Sequence, residues 1–124
     1  MRLLLDTHAL LWWLADRELG VDARAAIEDP LNEVFVSAAT AWEISIKRAL
    51  GKLRVPDDLT TQLEANDFTP LAISIDHAFA AGSLPKHHDD PFDRMLIAQA
   101  TLEELTLVTR DQHFATYDVR LLAA

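Results

Sequence analysis

The 124-residue chain has no cysteine, only three glycines, eleven basic residues against twenty acidic ones, and no long apolar run. Without cysteine there is neither a disulfide framework nor a thiolate-bound metal, which suits a reducing cytoplasm, the expected location. Gly20, Gly51 and Gly82 are too scattered for a G-x-G-x-x-G or Walker loop, so nucleotide cradling of those kinds is excluded. The longest strictly apolar run, "ALLWWLA" at 9–15, falls far short of the roughly 20 residues a membrane span needs. In "MRLLLDTHA", Asp6 and His8 interrupt any signal-peptide core, so no membrane partner is expected. A formal charge of −9 argues against tight nonspecific binding of nucleic acid, which draws its affinity from Lys and Arg.

The scarce basic charge is unevenly placed. "IKRALGKLR" (46–54) holds Lys47, Arg48, Lys52 and Arg54, four of the eleven basic residues. Such a run reads either as a solvated helix face and turn or as a patch facing phosphate. The rest of the composition is that of an ordinary globular protein, half hydrophobic and a quarter charged. With no repeat, low-complexity tract or composition break, a single domain over residues 1–124 is expected.

Strand and helix patterns alternate along the chain. "RLLL" (2–5), "EVFVS" (33–37), "PLAISI" (70–75) and "TLVT" (106–109) read as strands, with a weaker one near "VRLL". Helices are predicted over "HALLWWLA", "VDARAAIEDP" as far as Pro30, "AATAWEISIKRAL" ending at Gly51, 57–67, "DHAFAAGSL" and 91–104. The alternation predicts an α/β fold with a mainly parallel central sheet flanked by helices on both faces. In such sheets ligands bind outside the carboxyl ends of the strands.

Acids gather at that edge. Asp6 follows "RLLL", Asp111 lies two residues beyond "TLVT", Glu43 is in the second turn of the helix after "EVFVS", and Asp93 is in the first turn of the 91–104 helix. Each has an ordinary explanation. Asp6 or Thr7 suits an N-cap, as does Asp111 before "QHFA". Glu43 can pair with Lys47 at i,i+4. Asp90 suits an N-cap with Pro91 at N1, leaving Asp93 at N3, where a carboxylate favours the helix dipole. Asp93, however, shares its face with Leu96, Ile97 and Ala100, and an acid on the buried side of a helix tip is costly unless neutralised. Two carboxylates ~4 Å apart repel by about 4 kcal/mol at an effective dielectric of 20. Four together call for a cation, and with only oxygen ligands offered that cation is Mg²⁺ or Mn²⁺ rather than Zn²⁺.

The five histidines are the competing metal ligands. Their densest cluster, "HHDD" (87–90), places adjacent side chains in a loop, where they diverge, and H-E-x-x-H is absent. They read as solvated loop residues. Trp12 and Trp13 are adjacent on a helix and point ~100° apart. One is expected in the core, the other partly buried or at a partner surface.

With these acids in place, the chain resembles a PIN-domain ribonuclease of the VapC toxin type, from a type II toxin–antitoxin pair. "LLLDTHALLWWL", "SAATAWEISIKRALGKL", "LPKHHDDPFDRMLIAQA" and "LVTRDQHFATYDV" carry the resemblance, in that order, over about half of the chain. The resemblance implies a PIN fold with an acidic metal pocket. The family's acidic quartet falls on Asp6, Glu43, Asp93 and Asp111, and the hydroxyl of its T-x-D motif on Thr109. Asp90 matches the first acid of "DPFD" and is kept as a helix cap that supports the pocket. The resemblance further implies Mg²⁺- or Mn²⁺-dependent hydrolysis of RNA, a homodimer, and inhibition by a cognate antitoxin protein. Lys47, Arg48, Lys52 and Arg54 are then the candidates for RNA contact.

Two other readings use the same residues. A receiver-type phosphoacceptor domain also binds Mg²⁺ through acids at strand ends, but it uses a lysine after its last strand, and here no lysine follows Lys86. A catalytically idle PIN-like module would act by binding alone, and the presence of all four acids counts against it.

Overall fold

Three consecutive leucines account for the centre of the molecule. In the computed structural model, which describes residues 1–55 and 57–124, Leu3, Leu4 and Leu5 of strand β1 (Arg2–Leu5) are each 0% exposed. Successive strand side chains point to opposite faces, so full burial of all three requires cover on both sides. Leu3 and Leu5 join Val34 and Val36 of β2 (Glu33–Ser37) in one cluster, whereas Leu4 joins Phe35 in another. Helices α1 (Thr7–Leu14) and α2 (Val21–Glu28) cover the first face with Ala9, Leu10, Ala23 and Ile27. Helix α6 (Pro91–Leu102) covers the second with Leu96, Ile97 and Ala100, and α5 (Ile75–Ser83) packs on α6.

The remaining elements are α3 (Ala38–Ala49), α4 (Leu59–Ala65), β3 (Thr69–Leu71), β4 (Thr106–Thr109), a 3₁₀ turn (Gln112–Thr116) and β5 (Leu121–Ala123). Among the described residues the sheet has five strands in the order β3-β2-β1-β4-β5, and every pairing is parallel. The mainly parallel α/β sheet with helices on both faces is therefore as the sequence predicts. The order differs from the 2-1-3-4-5 of receiver-type domains, which sets that alternative aside. From β1 the chain builds outward through β2 and β3, then crosses back to β4 on the other side. The switch point lies between β1 and β4, where the crevice of an open α/β sheet forms.

Strand limits for "RLLL", "EVFVS" and "TLVT" match the predicted ones. The strand predicted over 70–75 does not reach that far: β3 ends at Leu71, and Ile73 and Ile75 are exposed. A capping box competes with the apolar alternation there. Ser74 Oγ accepts from His77 N–H at 3.0 Å, and His77 Nδ1 accepts from Ser74 N–H at 3.0 Å, so α5 begins inside the predicted strand. Helix α6 stops at Leu102, two residues early, because Glu104 turns to φ 55°. Gly51, with φ 71°, closes α3 as expected.

Candidate active site

The acid edge is assembled by helix starts. Asp6 follows β1 and caps α1, its Oδ1 accepting from Ala9 N–H at 2.8 Å. Asp111 caps the 3₁₀ turn, its Oδ1 accepting from both the amide and the ring nitrogen Nδ1 of His113 at 2.9 Å. Asp90 caps α6 by accepting from Phe92 N–H at 2.8 Å and Asp93 N–H at 3.2 Å, with Pro91 at the first helical position. That cap sets Asp93 at N3 on the inner face. Asp6 and Asp111 thus act as caps, as read from sequence, and still line one cleft with Glu43 and Asp93.

That cleft has a volume of about 80 Å³ and is bordered by Asp6, Glu43, Lys47, Asp90, Asp93 and Asp111, together with Thr7, His8 and Phe114. A larger cavity of about 390 Å³ beside β3 has no titratable group in its lining, so size does not mark the chemistry. Glu43 is 4% exposed and fully engaged: Thr7 Oγ1 donates to its Oε1, and Lys47 Nζ to its Oε2, each at 2.6 Å. Lys47 therefore reaches the acid site while its side chain stays 40% exposed, and the carboxylate beside it holds its ammonium charged to higher pH. Thr109 is buried between two acids. Its hydroxyl oxygen accepts from Asp111 N–H at 3.0 Å, and the hydroxyl lies close enough to Asp6 to favour its carboxylate.

The electrostatics are those of crowded anions. Burial raises the pKa of Asp6, opposed by the Thr109 hydroxyl and the Ala9 amide. Burial, then the neighbouring charge of Asp90, pushes Asp93 up to about 7, with Glu43 and Asp6 adding and His88 opposing. Asp111 is also raised by burial, but the amide and ring of His113 outweigh this and lower it overall. Two acids held above their ordinary range in one cleft are what a divalent cation would reverse, and their oxygen donors suit a hard ion. The residues present fit such an ion.

The four candidate RNA-contact residues do not stay together. Lys47 borders the acid cleft, Arg48 pairs with Asp57 at 3.1 Å, Lys52 is exposed on the loop after α3, and Arg54 lines a separate cavity with Leu11 and Leu14. Trp12 and Trp13 are both half-buried, so neither is the fully buried core residue expected. Trp13 donates from Nε1 to Asn66 Oδ1 at 3.0 Å, and Trp12 lies under the Arg110 guanidinium, 3.9 Å from the ring centroid.

One residue that sequence reasoning assigned to solvent belongs here. His87 and His88 do diverge, but only His87 turns away, packing on Tyr117. His88 is largely buried, with Nε2 2.9 Å from Asp93 Oδ2 and 3.5 Å from Asp111 Oδ2, contacts of ion-pair distance without hydrogen-bond direction. The available signal was position: His88 stands two residues before the α6 cap, at the same sheet edge as the acids.

Comparison with known proteins agrees with this architecture. The PIN domain family description fits residues 3–120. Ribonuclease VapC22 of Mycobacterium tuberculosis (strain ATCC 25618 / H37Rv) is 30% identical over 118 residues, covering 92% of this chain and 90% of that protein. Ribonuclease VapC16 of the same strain is 38% identical over 64 residues, which is 48% of this chain and 44% of that protein. Among solved structures, VapBC2 from Rickettsia felis, bound to a DNA fragment from its promoter, has a similar fold. Its TM-score is 0.76 at 16% identity, covering 100% of this chain and 99% of that one.

Proposed function

The chain belongs to the PIN-domain family, and on that premise we propose that it is a VapC-type endoribonuclease, the toxin of a type II toxin–antitoxin pair. Its site residues are Asp6, Glu43, Asp93 and Asp111, supported by Thr109, with Mg²⁺ or Mn²⁺ as the bound ion. One observation carries the reading. Four acids from four separate stretches of chain border a single small cleft, and the one on α6, Asp93, is pushed up to about 7.

A divalent ion bound there would supply a water of lowered pKa and stabilise charge at the phosphate of an in-line displacement. The protein's own part is positional. Ala9 N–H holds one oxygen of Asp6, and the Thr109 hydroxyl stands between Asp6 and Asp111. Thr7 and Lys47 hold the two oxygens of Glu43 in place. Asp90 sets the register of α6 that brings Asp93 to the cleft. With water as nucleophile and the 3′ oxygen leaving, the products carry 5′-phosphate and 3′-hydroxyl ends. Lys47 is the best placed of the four RNA-contact candidates. An antitoxin protein and a second copy of the chain complete the expected partners, in the cytoplasm. No helix among the described residues is long and apolar enough to cross a membrane.

The test is RNA cleavage by the purified chain with Mg²⁺ or Mn²⁺. Asp6→Asn and Asp93→Asn should each reduce the rate at least about a hundredfold, the scale of losing a group that acts on the transition state. Circular dichroism should be unchanged. Wild-type rates in both variants would remove the reading.

A further inference from the structure

Beside the four acids lies a second set of donors with different chemistry. His88, Asp111 and His113 each offer one ligand atom, and these atoms all lie within 4.8 Å of one another. We propose that His88, Asp111 and His113 bind a borderline transition-metal ion of the Zn²⁺ class, at a site that shares Asp111 with the acidic cleft.

The geometry is close to what such an ion needs. Bonds of about 2.0–2.1 Å in a tetrahedral site put neighbouring donors roughly 3.4 Å apart. His88 Nε2 is 3.5 Å from Asp111 Oδ2, and His113 Nδ1 is 2.9 Å from Asp111 Oδ1, so the two imidazoles stand at the two oxygens of one carboxylate. An ion would take the place of the His113 Nδ1 bond to Oδ1, and the ring, on a side chain that is 72% exposed, has room to move toward His88. His88 is held in advance. The Arg94 guanidinium ties its loop to α6 by donating to the carbonyls of Ala81 at 2.9 Å, Leu84 at 3.0 Å, Pro85 at 3.1 Å and His88 at 3.3 Å. The buried Nε2 of His88 makes no directed hydrogen bond, only contacts of ion-pair distance with Asp93 at 2.9 Å and Asp111 at 3.5 Å, so no such bond need be broken for it to take an ion. Ligation moves the Nε2 proton to Nδ1, giving up the long 3.3 Å contact from the Asp90 amide.

The donor set also discriminates. Two imidazoles and one carboxylate favour Zn²⁺ over Mg²⁺, whereas the acids alone offer only oxygen. Three protein ligands leave a fourth position open. Occupation withdraws Asp111 from the neighbouring cleft, so Zn²⁺ should oppose cleavage supported by Mg²⁺. That consequence rests on the proposed ribonuclease function, whereas the binding itself does not.

Calorimetric titration of the metal-free full chain with ZnCl₂ tests the site. Wild type should bind one equivalent, and His113→Gln and His88→Gln should each weaken binding at least about tenfold, with circular dichroism unchanged. Zn²⁺ inhibition of Mg²⁺-supported cleavage should weaken in step in His113→Gln. No Zn²⁺ binding by wild type, or wild-type affinity in both histidine variants, would overturn the proposal. Because the titration uses no RNA, its outcome is independent of whether the chain cleaves RNA.

Discussion

At the scale of single residues, Asp93 is the most informative. Its face on α6 is otherwise apolar, and burial with surrounding acids pushes it up to about 7. A consequence follows for stability. The folded protein holds the Asp93 proton up to about pH 7, whereas the unfolded chain releases it near 4, so in the metal-free state folding loses stability as pH rises through that window. Asp93→Asn removes this dependence. The metal-free variant should therefore be more stable than wild type at pH 8, by an amount of order 1 kcal/mol, with the advantage gone at pH 4. Chemical denaturation at both pH values measures it. Adding Mg²⁺ should raise the melting temperature of wild type and leave that of Asp93→Asn nearly unmoved, since only the former gains a bound ion. The acids were legible because Asp6 and Asp111 follow strand ends, Glu43 lies in the second turn of the helix after β2, and Asp93 breaks an apolar face. His88 was not, because adjacent loop histidines carry no periodicity, and only folding decides which of the two turns inward.

At the scale of elements, the site depends on where helices start. Asp90 holds two amides of α6, and Asp90→Ala should cost about 0.5–2 kcal/mol, measured by urea denaturation. The same change lowers cleavage without removing any of the four acids, because the cap sets the rotation that aims Asp93. Caps of this kind are readable in sequence: Asp90-Pro91 marks the start of α6, and Gly51 the end of α3. The region after β3 departs from its sequence pattern through the same capping chemistry. Leu71, Ile73 and Ile75 alternate like a strand, but Ser74 and His77 supply reciprocal hydrogen bonds to a helix start, and the capping box prevails. Alternation alone carries no information on which of two local structures is better satisfied.

At the scale of the whole molecule, the acidic chain does not gather its basic residues at the cleft. The formal charge is −9, and Lys47, the one RNA-contact candidate bordering the cleft, is already paired with Glu43. Few phosphate contacts are expected, so RNA affinity should fall only shallowly with monovalent salt, with a logarithmic slope of roughly −1 rather than the steep loss of a basic protein. Binding measured across a salt series in Ca²⁺ or with Asp6→Asn would establish the slope. The parallel sheet was legible from the alternation of apolar strands with helices. Its strand order was not, because pairing depends on crossovers that no local pattern encodes. That order creates the crevice between β1 and β4, where Asp6 and Asp111 flank the switch point.

The central claim is that these four carboxylates need a doubly charged ion between them. Mn²⁺ binding to the full chain, followed by the loss of the free-ion paramagnetic resonance signal, tests it without RNA, antitoxin or turnover. The expected result is binding by wild type and at least about tenfold weaker binding by Asp6→Asn and by Asp93→Asn, with the fold intact. Equal Mn²⁺ affinity in wild type and both variants would contradict it.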